Sequence, residues 1–277
     1  MSKTTILAQV TDLHIRRPGK LAYGRLDTAP YLLRAVRAIG RLRQKPDALV
    51  LTGDLTDFGR AEEYEHLANL LAPLDMPVYL LPGNHDDRDQ MRRSFASHAY
   101  LGTSGFTQYS VRVGGIRLVA LDTVETGQSG GVLSPDRLEW LAGELARDAT
   151  TPTVIAMHHP PFGTLIGHMD RIGLAQGADK LESIIAKHGN VERVICGHLH
   201  RTILRRFGGT IASTCPSPAH QVSLDLAPDA ASQWELEPPQ FHLHAWNERD
   251  GLVSHVASIG EFEGPFPFHE PGGALID

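Results

Sequence analysis

Short apolar runs that end in polar tips constrain the fold of this chain most. The runs lie in 5–10, 48–51, 78–81, 154–157 and 191–196, the last apolar over Val194-Ile195-Cys196. Each reads as a buried strand, and each stops at residues of ligand type: Asp12 and His14, Gly53-Asp54, Gly83-Asn84-His85, His158-His159 and Gly197-His198-Leu199-His200. Helical patterns lie between them. In 28–44 the apolar residues Leu32, Leu33, Val36, Ile39 and Leu42 recur at three- and four-residue steps. Further helices are predicted over 60–72, 87–98, 135–147 and 178–188, with Asp86 and Asp87 as a helix start. Alternation of this kind predicts an α/β layered fold with mostly parallel strands. In such sheets ligands bind beyond the carboxyl ends of the strands, where all of these tips fall.

The remaining runs add detail. Residues 108–113 and 116–121 flank Gly114-Gly115 as a hairpin, and the second strand ends at Asp122. Runs 202–207 and 210–213 form another hairpin about Gly208-Gly209, and 222–226 is strand-like. Prolines punctuate the chain beyond residue 227, with short strands at 240–246 and 252–257. The expectation is a catalytic domain over 1–226 and a C-terminal appendage over 227–277 that caps the site or mediates subunit contact, which makes a homo-oligomer the expected state.

Composition excludes several classes. A net charge of −6 over 277 residues gives no basic footprint for a nucleic-acid polymer. No apolar run approaches the ~18 residues of a membrane span, and no signal-like leader stands at the start of the sequence. With only Cys196 and Cys215, no disulfide framework is expected. A cytoplasmic protein is the expectation.

In an extended backbone, residues i and i+2 point to the same side, so His198 and His200 are expected to aim at one point, as are Asp12 and His14. Carboxylate, amide oxygen and imidazole together suit divalent metals such as Fe, Mn, Zn or Co. Two ions ~3.5–4 Å apart suit displacement at phosphorus. No Cys stands at a tip, which argues against a structural zinc site.

Asp12-x-His14, Gly53-Asp54, Gly83-Asn84-His85-Asp86, the run ending at His158 and Gly197-His198-Leu199-His200 resemble, in order, the five blocks of the calcineurin-like metallophosphoesterases. Leu21-Ala22-Tyr23-Gly24, His158-His159-Pro160-Pro161 and Ala219-His220-Gln221 are similar to bacterial glycerophosphodiesterases and class III cyclic-nucleotide phosphodiesterases. The resemblance implies an αββα fold: a two-sheet β-sandwich flanked by helices, with a dinuclear site at one edge. It implies one ion held by Asp12, His14, Asp54 and His200, and another held by Asp54, Asn84, His158 and His198. It further implies attack of a metal-bound hydroxide on a small-molecule phosphodiester, with His85 as donor to the phosphate or leaving group, or alternatively as support for Asn84. His220 is implied to contact substrate, His159 to support a ligand, and Asp122 to orient an imidazole or cap its strand. A monoesterase or pyrophosphatase of the same fold, and a non-catalytic scaffold, are the alternatives.

Overall fold

The computed structural model describes residues 3–276. The first third runs β1 (Thr5–Val10), α1 (Ala29–Arg41), β2 (Ala48–Thr52), α2 (Ala61–Leu71), β3 (Val78–Leu81) and α3 (Arg88–Ser94). The middle runs β4 (Tyr109–Val113), β5 (Ile116–Leu121), β6 (Gly131–Val132), α4 (Pro135–Arg147), β7 (Thr153–Met157), α5 (Gly167–Asp170), β8 (Leu174–Gln176), α6 (Ala178–Ile185) and β9 (Val191–Cys196). Then follow β10 (Ile203–Phe207), β11 (Thr210–Thr214), β12 (Gln221–Val222), β13 (Trp234–Glu235), β14 (Gln240–Asn247) and β15 (Gly251–Ser258).

The long strands form two sheets. One has the order β15-β14-β1-β2-β3, and the other β10-β11-β9-β7-β5-β4. The first sheet is antiparallel across β15-β14-β1 and parallel across β1-β2-β3, and the second is parallel from β11 to β5 with an antiparallel strand at each edge, so the sheets are mixed rather than mostly parallel. Residues 118, 120, 154, 156 and 195 of the second sheet join the core shared with the first. Their alternates Val119, Leu121, Ile155, Met157, Val194 and Cys196 pack on Leu138, Leu141 and Leu145 of α4 and on Leu181, Ile184 and Ile185 of α6. Positions buried on both faces are apolar, which is why 118–121, 154–157 and 194–196 read as unbroken runs. Helices α1 and α2 pack on the first sheet through Leu32, Val36, Ile39, Tyr64 and Leu67. The layers are therefore αββα.

Three expectations change. The first sheet does not stop at residue 226: β14 pairs antiparallel with β1 along Thr5↔Trp246 to Gln9↔His242, and β15 forms the edge. Residues 240–258 are thus part of the sheet, because β1 has a free flank that β14 completes. The strand-like stretch 222–226 shortens to Gln221–Val222, and the helix over 87–98 ends at Ser94 before a separate 3-10 turn, Ala99–Leu101. Among the described residues, no helix is long and apolar enough to cross a membrane.

Candidate metal centre

The polar tips meet at one edge of the sandwich. Backbone hydrogen bonds tie them together beyond the strand ends: Asp12 N–H donates to Gly53 O and His14 N–H to Asp54 O, both at 3.0 Å, and Gly197 N–H donates to His158 O at 3.0 Å. Gly53 and Gly83 permit this approach. A Cβ on Gly53 would collide with the His158 ring, and one on Gly83 with the Asp54 carboxylate.

The tips are not extended. Asp12, His14, Asp54, His198 and His200 all have positive φ, at 53°, 45°, 47°, 71° and 52°. Non-glycine residues avoid this region, and such strain collects at functional sites. The left-handed kink also overturns the expectation that i and i+2 aim together. His198 gathers with His158 and His159, whereas His200 gathers with His14 and His220.

Two groups of side chains result, joined at Asp54. In the first, His14 Nε2 lies 3.3 Å from His200 Nε2 and 3.7 Å from Asp54 Oδ2, and His200 Nε2 lies 3.4 Å from Asp12 Oδ1. In the second, His158 Nε2 lies 3.4 Å from the same Asp54 oxygen and 3.2 Å from Asn84 Oδ1. His198 stands beside them, its ring centroid 5.2 Å from that of His158.

The outer nitrogens of these rings decide what the inner ones can do. His14 Nδ1 faces the Asp57 carboxylate at 3.2 Å, His158 Nδ1 faces Thr52 O at 2.9 Å, and His200 Nδ1 faces His220 O at 3.0 Å. Each of these partners is an acceptor, so each Nδ1 donates. In the neutral ring Nε2 then carries a lone pair. Those lone pairs point at one another and at carboxylate oxygens. His198 donates its backbone N–H to Asp12 at 3.0 Å, and its Nε2 is buried with no partner. Acceptors converging on acceptors in a dry site repel unless a cation lies among them. Imidazoles held at one nitrogen by a carbonyl or carboxylate are the usual arrangement of metal-binding histidines. The residues present therefore fit two divalent cations.

Proton affinities reflect the same crowding. Burial, with Asp54 adding, pushes the Asp12 carboxyl up to about 6. Burial opposes ionisation of Asp54 too, but His158 and His85 beside it hold its carboxyl well below the usual range. His158 is buried, yet the Asp54 carboxylate lifts it to about 9. Burial and the neighbouring His158 push His198 down to about 3. Burial and His220 likewise lower His200.

The other expected residues sort clearly. His85 is partly exposed, its backbone N–H donates to Asp54 Oδ1 at 2.9 Å, and its Nδ1 donates to Asp57 O at 2.9 Å. His220 faces His200 with ring centroids 4.5 Å apart, and its Nε2 meets the Tyr23 hydroxyl at 3.1 Å. Both nitrogens of His159 are engaged, by Thr123 Oγ1 at 2.8 Å and Ser129 O at 3.1 Å. It packs against His158 and His198 without a free nitrogen for an ion. Asp122 orients no imidazole. Its carboxylate takes Arg88 at 2.6 and 2.8 Å and the backbone N–H groups of Thr107 and Val124 at 2.8 and 2.9 Å. Asp87 does cap α3, accepting from Gln90 N–H at 2.6 Å. Asp86 instead receives Leu55, Thr56 and Gly83 N–H and so joins two tips.

Sequence reasoning gave no role to Asp57, Tyr23 or Trp234. Asp57 is buried against His14, forms an ion pair with Arg16 at 3.3 Å, and has its carboxylate 3.9 Å from His85 Nδ1. Its position three residues after Asp54 was a usable signal. Tyr23 and Trp234 line the same cavity, of about 250 Å3, as His14, Asp54, Asn84, His85 and His220. Nothing in the local sequence of Trp234 places it there.

Residues 6–202 match the family model of the calcineurin-like phosphoesterases, and the chain belongs to that family. It is 38% identical over 272 residues to a probable glycerophosphodiester phosphodiesterase, GpdQ, of Arcobacter nitrofigilis, covering 98% of this chain and 100% of that one. A probable cyclic nucleotide phosphodiesterase of a Synechococcus strain is 34% identical over 253 residues, covering 90% and 95%. The fold is similar to that of a dimetal phosphatase from Danio rerio, with a TM-score of 0.63 at 16% identity, covering 92% of this chain and 99% of that one.

Proposed function

We propose that this protein is a dinuclear-metal phosphodiesterase that hydrolyses small phosphodiesters, either glycerophosphodiesters or cyclic nucleotides. One observation carries the reading. Buried ligand-type side chains converge in two groups on a shared Asp54, with their outer nitrogens already committed to carbonyl or carboxylate acceptors. The names of the Arcobacter and Synechococcus relatives support the substrate class.

Asp12, His14, Asp54 and His200 would hold one ion, and Asp54, Asn84, His158 and His198 the other. Fe, Mn, Zn and Co all suit these nitrogen and oxygen donors. Bound there, two such ions would acidify water, neutralise the phosphate and stabilise the leaving oxygen. The protein's own groups do the rest. Thr52, Asp57 and His220 hold imidazoles 158, 14 and 200 in the tautomer that leaves Nε2 free. His85, with Nδ1 donating to Asp57 O, can carry a second proton on Nε2 for the phosphate or the departing alcohol. His220 and Tyr23 line the same cavity as His85 and would contact the substrate there.

The test is hydrolysis of bis(p-nitrophenyl) phosphate, with metal content, after reconstitution with Mn. Asp54→Ala and Asn84→Ala are expected to lose turnover while the circular dichroism spectrum is retained, Asp54→Ala losing metal at both sites. Full turnover in either loaded variant, or none in the wild type on any diester, overturns the reading.

A further inference from the structure

A second, wider groove of about 950 Å3 adjoins the metal-centre cavity. Tyr23, Ser232, Gln233 and Trp234 line both spaces, and Arg25 and Glu235 line the outer one. Three rings stand at the junction. Tyr23 and Trp234 are 5.5 Å apart and inclined by 34°, and His220 meets each of them nearly edge-on, at 72° and 75°.

These rings are held in place. Trp234 pairs with Val222, and Glu235 with Gln221, in the β12–β13 ladder. Arg201 pins that ladder by donating to Val222 O at 2.7 Å and pairing with Glu237 at 2.8 Å. Tyr23 is 46% exposed and kept at a φ of 51°, a conformation an aromatic residue adopts only under constraint. A large ring half in water, held against strain beside a reaction site, has packing that the core does not account for.

We propose that Trp234, with Tyr23 beside it, is a specificity-determining platform that stacks a flat ring carried by the diester, such as a nucleobase or an aryl group, in the outer groove. The inference rests on the phosphodiesterase reading. A diester whose phosphorus lies among the metal-binding residues extends its remaining group past His220 towards Trp234. Bases stack on aromatic side chains whatever their identity, because every base has a π-face. Ser232, Gln233, Arg25 and Glu235 supply the donors and acceptors that a heterocycle and its sugar can use. A glycerol group has no face to stack and gains little from the platform.

The experiment compares wild type, Trp234→Leu and Trp234→Phe on cyclic AMP, glycerophosphoglycerol and glycerophosphocholine after Mn loading. Trp234→Leu is expected to lower kcat/KM for cyclic AMP by about 5- to 150-fold, the range of base–aromatic stacking, chiefly through KM. The two aliphatic diesters should change by less than about three-fold, and Trp234→Phe should recover most of the loss. A second readout needs no turnover: AMP should quench tryptophan fluorescence of the metal-free wild type but not of Trp234→Leu, and glycerol 3-phosphate should quench neither. Equal losses on all three diesters, no loss on any, or a loss confined to glycerophosphocholine, whose ammonium could use an indole face, overturns the platform. If the wild type cleaves no diester, the phosphodiesterase reading fails, and the AMP titration still decides the role of Trp234.

Discussion

Phe241 tests how firmly the C-terminal strands belong to the sandwich. It lies in β14, is 1% exposed and belongs to the core that both sheets share. Truncating a buried Phe to Ala costs about 3–5 kcal/mol in lost transfer energy and cavity formation. Domains are stable by only about 5–15 kcal/mol, so Phe241→Ala should fold but with a sharply reduced margin. With a urea slope near 3 kcal/mol/M, the midpoint should fall by about 1–2 M. Phe262 is 70% exposed, and its replacement by Ala should stay within about 0.5 kcal/mol. Two truncations bracket the result. Ending the chain after residue 260 removes only residues outside the sheets and should leave the midpoint nearly unchanged. Ending it after residue 226 strips β14 from β1, whose six residues are all buried, and should yield no cooperative unfolding transition. A soluble 1–226 fragment that unfolds cooperatively near the full-length midpoint, or Phe241→Ala within 1 kcal/mol of wild type, would refute the argument.

Replacing His85 with Ala should lower turnover by about 10²–10⁴-fold, the usual worth of a positioned proton donor, with metal content unchanged; matched losses of both would mean that the ring only supports Asn84. Arg88→Met strands the fully buried Asp122 carboxylate and should destabilise by about 3–5 kcal/mol. Asp122→Asn added to it should recover part of that loss, and strict additivity in a double-mutant cycle would contradict the pairing. Stability should also fall in acid through His242, which burial, helped by Arg193, pushes down to about 4 from 6.5. Between those values the unfolded chain binds a proton that the folded chain refuses, so stability drops as pH falls from 6.5 to 4, by roughly 3 kcal/mol at ~1.4 kcal/mol per unit. The difference between urea midpoints at pH 7 and pH 4.5 should accordingly shrink in His242→Gln, and an unchanged difference would count against it.

Much of the molecule is legible in its sequence because burial on two faces leaves a plain mark. Strands β2, β3 and β7 and the second half of β9 are apolar runs, β1 is broken only by Gln9, and the tips of these strands carry the ligand-type residues. What was not legible depends on partners far along the chain. Strand β14 reads Phe-His-Leu-His-Ala-Trp, which looks half polar, yet His242 and His244 are buried. Thr202 meets His242 at Nε2, and Ser254 and Gln9 meet both nitrogens of His244, so polarity there does not mean exposure. Asp122 looked like a neighbour of the imidazoles because it ends a strand at the right edge; Arg88, 34 residues earlier, claims it. The split of His198 from His200 follows from left-handed backbone, which residue spacing cannot reveal.

The strand order of the first sheet has a consequence for biosynthesis. β1 leaves the ribosome well before its neighbour on one flank, β14, which begins at Gln240. At ~5–20 residues per second, a nascent chain keeps that sticky flank unpaired for roughly 10–50 s. During that interval the N-terminal strand is the natural point for a chaperone to shield and the natural seed for misassociation between neighbouring nascent chains.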